Sequence, residues 1–303
     1  MTEPHVHRPV GDAAAALLRS VASRTAAALG HDVLGDSVER DLAASCPAYA
    51  IVAMADGEAV LGAMHLGAPR DGIVPGTLVV APDARDRGVE AALEDVALED
   101  LRTRGLARLE YWVFGDAARP SGTATRRLHQ MRVELPLEGS ARPRWPDGVR
   151  LRPFVPGVDD DAWLRVNNRA FAHDPDQGGW NAATLHGRTA EPWFDPAGLL
   201  LAEDDAGLAG FCWTRVHPAA PPAEPERVGE IYVIGVDPDR QGTGLGRALV
   251  VAGLASLAER GVEHGMLFVD TENAPALALY EALGFTTTRT DRMHVCPTDG
   301  ADA

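Results

Sequence analysis

The residues that most directly suggest chemistry form a glycine-rich turn over 241–247, between an apolar segment and a helical pattern. Glycines let the backbone approach a ligand closely, and the first turn of a helix has unpaired N–H groups with partial positive charge, so a pyrophosphate fits there. The spacing is not that of a dinucleotide fold, and a P-loop needs lysine, whereas all 28 basic residues are arginines. A glycine turn without a ligand is the alternative. The predicted contacts are Gln241, Gly242, Thr243, Gly244, Leu245, Gly246 and Arg247.

The elements that must position this turn are a strand before it and a helix after it. Residues 230–236 and 265–270 are β-branched, aromatic and apolar, which predicts two strands. Between them, apolar residues recur at helical spacing from Leu245 to Ala252, and Gly261 is suited to end the helix. The pattern indicates a mixed α/β fold with a largely antiparallel sheet. The other predicted strands are a hairpin over 198–216 and a final strand over 285–295.

An internal repeat links the two halves of the chain. Residues 78–113 align without gaps on 234–269, at an offset of 156 residues. Each copy reads strand, turn, amphipathic helix, glycine and strand, so the repeat predicts a tandem duplication. Between the copies, residues 138–148 are rich in Gly, Pro and Arg, which is typical of a linker. The predicted domains are 1–140 and 149–303, with a linker at 141–148.

Composition excludes several classes of function. The formal net charge of −16 argues against a nucleic-acid partner, which would need a basic surface. No apolar run reaches the length of a membrane span, and the amino terminus has no secretory pattern, so we expect a cytoplasmic enzyme without a membrane partner. The histidines lack metal-ligand spacing, and no metal is expected. The cysteines, predicted to be reduced, are Cys46, Cys212 and Cys296.

The turn and the segments around it resemble the GNAT superfamily of acyl-CoA N-acyltransferases. Gln241, Gly244 and Gly246 match its Q/R-x-x-G-x-G/A signature, and Asn273 and Tyr280 match a downstream pattern that ends in LGF. The resemblance implies two tandem GNAT domains and acetyl-CoA as co-substrate. It assigns the cofactor to the turn, to Asn273 and to the main chain of the preceding strand. The strand residues are Ile234, Gly235 and Val236.

A narrower resemblance extends over most of the chain. The sequence is similar to the mycothiol synthase family, two-GNAT proteins of actinobacteria, in the duplication and in several segments. This similarity implies acetylation of the cysteinyl amine of desacetylmycothiol, a cysteine–glucosamine–inositol conjugate, in the last step of mycothiol biosynthesis. The matching segments are 166–180, 191–196, 211–218 and 229–238.

The same resemblance implies roles for individual side chains. Glu230 matches the general base that takes a proton from the amine through water, and Tyr280 matches the general acid that serves the leaving thiolate. Without the adjacent motif, Glu230 would be read as a surface carboxylate and Tyr280 as a packed aromatic residue. The implied substrate contacts are Asp36, Asp176, Arg215, Glu230 and Phe268. Asp36, Asp176 and Arg215 each differ by one conservative step from the family's residue, and Phe268 stands where a Tyr is expected.

The N-terminal copy lacks these groups. At the repeat offset, Glu230 corresponds to Val74 and Tyr280 to Ala124, and Glu90 replaces the last glycine of the signature. A carboxylate there would repel a pyrophosphate, so we expect a non-catalytic half. Whether this half binds a second CoA stays open. The residues of that possible second site are Leu78, Val79, Val80, Arg85, Arg87 and Gly88.

Two other functions remain open at this level. The first is a tandem GNAT that acetylates another small amine, of the aminoglycoside or polyamine type. The second is an acyl-CoA-sensing module without turnover, which would not require both Glu230 and Tyr280. Since two fused GNAT halves can imitate a GNAT dimer, a monomer is expected.

Overall fold

The structure is a computed structural model that describes residues 3–8, 10–43, 50–57, 59–120, 122–137, 142–174, 177–219 and 226–298. Among these residues, no helix combines the length and apolar character that crossing a membrane requires.

The described chain contains seven α-helices and twelve β-strands. The helices are α1 Asp12–Leu29, α2 Asp36–Ala43, α3 Val89–Thr103, α4 Asp160–Ala170, α5 Ala182–Thr189, α6 Leu245–Glu259 and α7 Ala274–Glu281. The strands are β1 His5–His7, β2 Ala50–Asp56, β3 Ala59–Leu66, β4 Ile73–Val80, β5 Arg108–Val113, β6 Arg126–Glu134, β7 Arg150–Pro153, β8 Leu199–Asp204, β9 Gly207–His217, β10 Val228–Val236, β11 His264–Asp270 and β12 Thr286–Pro297.

The chain divides into two compact units. Unit 1 comprises residues 1–129, 220–225 and 289–303, and unit 2 comprises 130–219 and 226–288. The predicted domain boundaries at 140 and 149 describe the duplicated halves and stay a prediction. The compact units differ from them because β6 and β12 each contain residues of both units.

Unit 1 has the strand order β1-β2-β3-β4-β5-β12. Its neighbouring strands are antiparallel except β4 and β5, which are parallel. Helix α1 ends at Gly30, whose φ of 73° is the left-handed conformation that glycine adopts without a steric penalty. A continuous core of aliphatic side chains, including Leu18, Leu78 and Leu93, is fully buried in this unit.

Unit 2 has the strand order β6-β11-β10-β9-β8-β7. Strands β7 to β10 pair antiparallel with their neighbours in this order, and β10 and β11 are parallel. Helix α6 covers one face of the sheet, where added side chains at Gly229 and Gly265 would meet Leu257 and Leu254. An aromatic cluster around the fully buried Trp213 forms a second core. The mixed, largely antiparallel sheet that the sequence predicts is confirmed.

The duplication is visible in matching local geometry. Helices α3 and α6 both have 15 residues, and each begins after a glycine in the left-handed region, Gly88 with φ 76° and Gly244 with φ 87°. Asp86, with φ 59°, stands where the second copy has Gly242, with φ 76°. Aspartate tolerates this conformation better than most residues, so the turn survives the substitution.

Most predicted elements of unit 2 are confirmed. The hairpin turns between β8 and β9, the strand expected at 285–295 is β12, and Gly261 follows α6 with φ 72°. The buried face of α6 is wider than the sequence predicted. Besides the predicted face, Val250, Val251 and Leu254 are buried, because this helix packs into the core over more than one side.

Candidate active site

The open edge of β10 is the main geometric feature of unit 2. The parallel pairing of β10 with β11 runs from Val228–His264 to Ile231–Leu267, whereas β10 continues to Val236. On the other side, β9 pairs with β10 up to Val236, with an irregularity between Ile231 and Val233. Among the described residues, no strand pairs with β10 over 233–236 on the side away from β9, so this stretch can accept an added strand-like ligand. Ile234, Gly235 and Val236, the residues predicted to pair with pantetheine, lie on this stretch.

The predicted pyrophosphate turn connects this edge to α6. Gln241, Gly242, Thr243 and Gly244 are exposed, and no side chain caps α6. The first N–H groups of the helix therefore lack a side-chain acceptor, and the helix dipole adds partial positive charge. The space that a Cβ would take at Gly242 and Gly244 is open, so a ligand has room to approach the backbone. These properties fit a pyrophosphate and leave the individual contacts as predictions.

Glu230 lies on β10 just before the two strands separate. Its side chain is 8% exposed, and its Oε2 lies 2.7 Å from Nε2 of His217. The strand register pairs Glu230 with Arg215 on β9 and with Met266 on β11. Since residues opposite each other project from the same face of a sheet, these side chains lie together. This face is opposite to the one that α6 covers.

Tyr280, the predicted general acid, lies on α7. Its side chain is buried, and its ring lies 5.7 Å from that of Phe285. Burial, with a smaller contribution from Cys212, raises the pKa of Tyr280 to about 12, so the phenol keeps its proton at neutral pH. Asn273 caps α7, because its side chain accepts a hydrogen bond from the Ala276 N–H at 3.2 Å. Its cofactor contact stays a prediction.

The predicted substrate residues fall in different parts of the chain. Arg215 lies opposite Glu230 on β9. Phe268 lies two residues after Met266, which is opposite Glu230 on β11. The side chains of Arg215, Phe268 and Glu230 therefore project from one face of the sheet of unit 2. The Arg215 guanidinium stacks on Trp193 at 4.7 Å, and Phe268 is 38% exposed. Asp36 is the first residue of α2 in unit 1. Asp176 lies outside the described residues.

The cysteines and potential metal ligands add no further chemistry to the described residues. Cys212 is fully buried, and burial raises the pKa of its thiol to about 12, which makes it a poor nucleophile. Cys296 is half-buried, and Cys46 lies outside the described residues. No group of three or more His, Cys, Asp or Glu side chains within the described ranges is arranged to hold a metal ion.

The corresponding region of unit 1 is organised differently. The parallel pairing of β4 with β5 ends at Thr77–Trp112, and the N–H of Val80 donates to the Ala117 carbonyl at 2.8 Å. Glu90, only 6% exposed, accepts a hydrogen bond from the Arg119 N–H at 3.2 Å. The residues of the possible second CoA site lie on this β4 edge and on the following turn. They are Leu78, Val79, Val80, Arg85, Arg87 and Gly88.

Two contacts near Glu230 were not predicted from the sequence. His217 follows Arg215 by two residues on β9, so the predicted strand could have placed both side chains on one face. What could not be predicted is the register with β10, because the connection between the strands has no regular pattern. Trp193 comes from the segment before β8, and only the tertiary fold brings it to Arg215.

Comparison with known proteins agrees with this geometry. A family model described as Acetyltransferase (GNAT) family matches residues 163–285. A crystal structure of a GCN5-related N-acetyltransferase from Sphaerobacter thermophilus superposes with a TM-score of 0.73, at 22% identity, covering 97% of this chain and 96% of that chain. A tandem GNAT protein from the clavulanic acid biosynthesis pathway has a TM-score of 0.67 at 20% identity, covering 99% of this chain and 100% of its own. At such identities the likeness concerns the fold alone.

The fold is that of the tandem GNAT class. Closer relatives narrow the assignment. The mycothiol acetyltransferase of Thermomonospora curvata is 46% identical over 255 residues, which cover 82% of each chain. That of Geodermatophilus obscurus is 44% identical over 290 residues, or 92% of each chain. The chain belongs to the mycothiol acetyltransferase family.

Proposed function

We propose that this protein transfers the acetyl group of acetyl-CoA to the cysteinyl amine of desacetylmycothiol and so forms mycothiol. The observation that carries the proposal is the position of Glu230, a nearly buried carboxylate at the point where β10 separates from β11. A base at this point lies next to the main-chain edge on which an acyl-CoA arm would pair. The similarity to mycothiol acetyltransferases supports this choice of acceptor.

In the proposed reaction, acetyl-CoA is held by unit 2. Ile234, Gly235 and Val236 pair with the pantetheine arm, and the N–H groups at the start of α6 bind the pyrophosphate. Asn273 is assigned to the same cofactor. Each of these groups acts through backbone or neutral polar atoms, and the dipole of α6 adds partial positive charge toward the pyrophosphate.

Glu230 acts as the general base. The acceptor is an α-amine, which carries a proton for much of the time near neutral pH because such amines have a pKa of about 7.7–8.0. Glu230 takes that proton, directly or through water, and the freed nitrogen attacks the thioester carbonyl. The C–N bond forms, the nitrogen loses its second proton, and the C–S bond breaks, so that the acetyl group moves from sulfur to nitrogen. The proton taken by Glu230 passes to solvent, and the released thiolate takes up the equivalent of the second proton to give the CoA thiol.

Tyr280 assists the departure of the CoA thiolate. Since the pKa of Tyr280 is raised to about 12, its proton is less acidic than that of a thiol, whose pKa is about 8.5. Full transfer to sulfur is therefore uphill, and the hydroxyl acts mainly by donating a hydrogen bond to the developing thiolate. The expected contribution is that of one hydrogen bond to a charged group, about 1.5–3 kcal/mol.

The acceptor is recognised by polar groups around Glu230. Arg215, stacked on Trp193, presents a cation on the same face, and Phe268 presents an exposed ring. Asp36 and Asp176 complete the proposed acceptor contacts. A hydroxyl-rich conjugate needs several such partners, because polar groups left unpaired on binding are costly. The protein is further proposed to be a cytoplasmic monomer.

The test is acetylation of desacetylmycothiol followed by mass spectrometry. The wild-type protein is incubated with acetyl-CoA and the acceptor, and the product is expected to be heavier by one acetyl group on the cysteinyl nitrogen. An aminoglycoside and a polyamine are offered in parallel as competing acceptors. Acetylation of one of these and not of desacetylmycothiol would reject the proposed acceptor, and binding of acetyl-CoA without any product would indicate a sensing module.

A further inference from the structure

His217, the last residue of β9, is the nearest polar neighbour of the proposed base. Its Nε2 lies 2.7 Å from Oε2 of Glu230. Within the described part of the chain, His217 is the one side chain that hydrogen-bonds this carboxylate. The contact uses one carboxylate oxygen and leaves Oε1 for an amine or a water molecule.

The strand register explains why the two residues meet. β9 and β10 are antiparallel, with Arg215 opposite Glu230 and His217 opposite Val228. His217 is therefore a diagonal neighbour of Glu230 on the same face, within reach of a long side chain. Both ends of the contact are held by strand backbone, so the geometry does not depend on a loop.

The chemistry of the pair fixes the direction of the hydrogen bond. An ionised carboxylate only accepts, so Nε2 of His217 carries the hydrogen. The Glu230 side chain is 8% exposed, and that of His217 is 27% exposed. A carboxylate so poorly exposed to water needs a hydrogen-bond donor from the protein, and His217 supplies one.

We propose that His217 is a positioning residue that orients the Glu230 carboxylate for proton abstraction. The inference rests on the proposed role of Glu230 as the base. The other charged group that the register brings beside Glu230 is Arg215 on β9, and β11 presents the uncharged Met266. Tyr232 follows on β10 at the irregularity in the strand pairing.

The experiment compares His217→Ala with His217→Gln. The alanine variant removes the donor, whereas the glutamine amide can still donate from a similar position. We expect His217→Ala to lower kcat/KM by at least about 10-fold, the loss typical of a hydrogen bond to a charged group, with KM for acetyl-CoA unchanged. The loss should appear in kcat, because the contact orients the reacting carboxylate and not the cofactor. His217→Gln should recover most of the activity.

Glu230→Gln and the double variant separate this inference from the proposed function. In the Glu230→Gln background, His217→Ala should change kcat/KM by less than about 2-fold, because the two residues act as a unit. Wild-type activity in Glu230→Gln would reject the base itself. A slow Glu230→Gln variant beside a His217→Ala variant with the wild-type kcat would overturn only the role of His217. Circular dichroism of each variant checks that the fold is retained.

Discussion

The two copies of the duplicated turn contain equally buried glutamates in very different positions. Glu90 in unit 1 and Glu230 in unit 2 are each 6% exposed. Glu90 is in the first turn of α3 and accepts a hydrogen bond from the Arg119 backbone, which ties two parts of unit 1 together. Glu230 is on a strand face with one oxygen on His217. Burial of a carboxylate alone therefore does not identify a base; the two residues differ in the element that holds them and in the partner that each one binds.

The edges of β4 in unit 1 and β10 in unit 2, beyond the end of their parallel pairing, also differ. In unit 1 the N–H of Val80 is already bonded to the carbonyl of Ala117, and both Ala117 and Ala118 are fully buried beside it. In unit 2 the pairing of β10 with β11 ends five residues before the strand does. The duplication thus preserved the turn and the helix in both copies. In unit 1 the chain itself bonds one N–H of this edge, whereas in the described part of unit 2 no strand pairs with the corresponding edge over 233–236.

The largest expected difference between the units is that between their two glutamates. Glu230→Gln keeps the shape of the side chain but removes the base, so kcat/KM for acetyl transfer should fall by about 10²–10⁴-fold. Glu90→Gln keeps an acceptor for the Arg119 N–H and should change kcat/KM by less than about 2-fold, since a single conserved hydrogen bond is at stake. Steady-state release of CoA measures both variants. Equal losses in the two variants would contradict the division of labour between the units.

The next largest effect is expected from Tyr280 in unit 2 and Tyr111 in unit 1, both of which are buried. Tyr280→Phe should lower kcat by about 10–100-fold with little change in KM, because the lost hydrogen bond forms only as the thiolate develops. Tyr111 in unit 1 donates to Glu94 at 2.9 Å, and burial raises the pKa of that carboxyl. Tyr111→Phe should therefore lower Tm while kcat stays within about 2-fold of wild type.

Kinetics and calorimetry on the same samples separate these outcomes. If Tyr280→Phe lost stability and kept its turnover, the phenol would be a packing residue in the core with Phe285. If Tyr111→Phe lowered kcat, unit 1 would contribute to catalysis, contrary to its expected structural role.

How far the sequence predicted this molecule depends on the range of the interactions involved. The turn, α6 and the strands around them follow from local patterns, and the repeat predicted that both copies share them. The contact between His217 and Glu230 depends on a register across residues 218–227, which carry no periodic signal. The bond from Val80 to Ala117 depends on a loop that folds back, and no spacing rule predicts it.

A smaller difference is expected between alanine variants of Gly88 and Gly244, whose φ angles both lie in the left-handed region. Gly88 and Gly244 both precede a helix, and an added Cβ would meet nothing within 4 Å at either position. Alanine should cost each unit a similar strain of about 1–2 kcal/mol. Gly244→Ala should also raise KM for acetyl-CoA by about 3–10-fold, because the methyl group would stand where the pyrophosphate approaches and weaken a charge-assisted hydrogen bond.

Gly88→Ala is the matched control, with the same strain and no expected change in KM. Isothermal titration of CoA onto both variants gives an independent measurement. A loss of CoA binding in Gly88→Ala, or a second binding event in the wild-type protein, would restore the second cofactor site to unit 1.

The smallest effect is a pH dependence of stability that arises in unit 1. His294 is nearly buried and stacks on Tyr111 with ring centroids 5.3 Å apart. Burial, with Arg292 and Arg127 nearby, lowers the pKa of His294. In the interval between that lowered pKa and the ordinary value of about 6.5, the unfolded chain binds more protons than the folded one, so stability rises with pH. His294→Phe keeps the stacked ring and removes the titration. Calorimetric Tm measured from about pH 7 down to about pH 5 should therefore fall less in this variant than in the wild type. Parallel curves of Tm against pH for the two proteins would show that His294 titrates alike in the folded and unfolded states. The activity of the wild type and of His294→Phe at neutral pH should be the same, because no atom of unit 2 is altered.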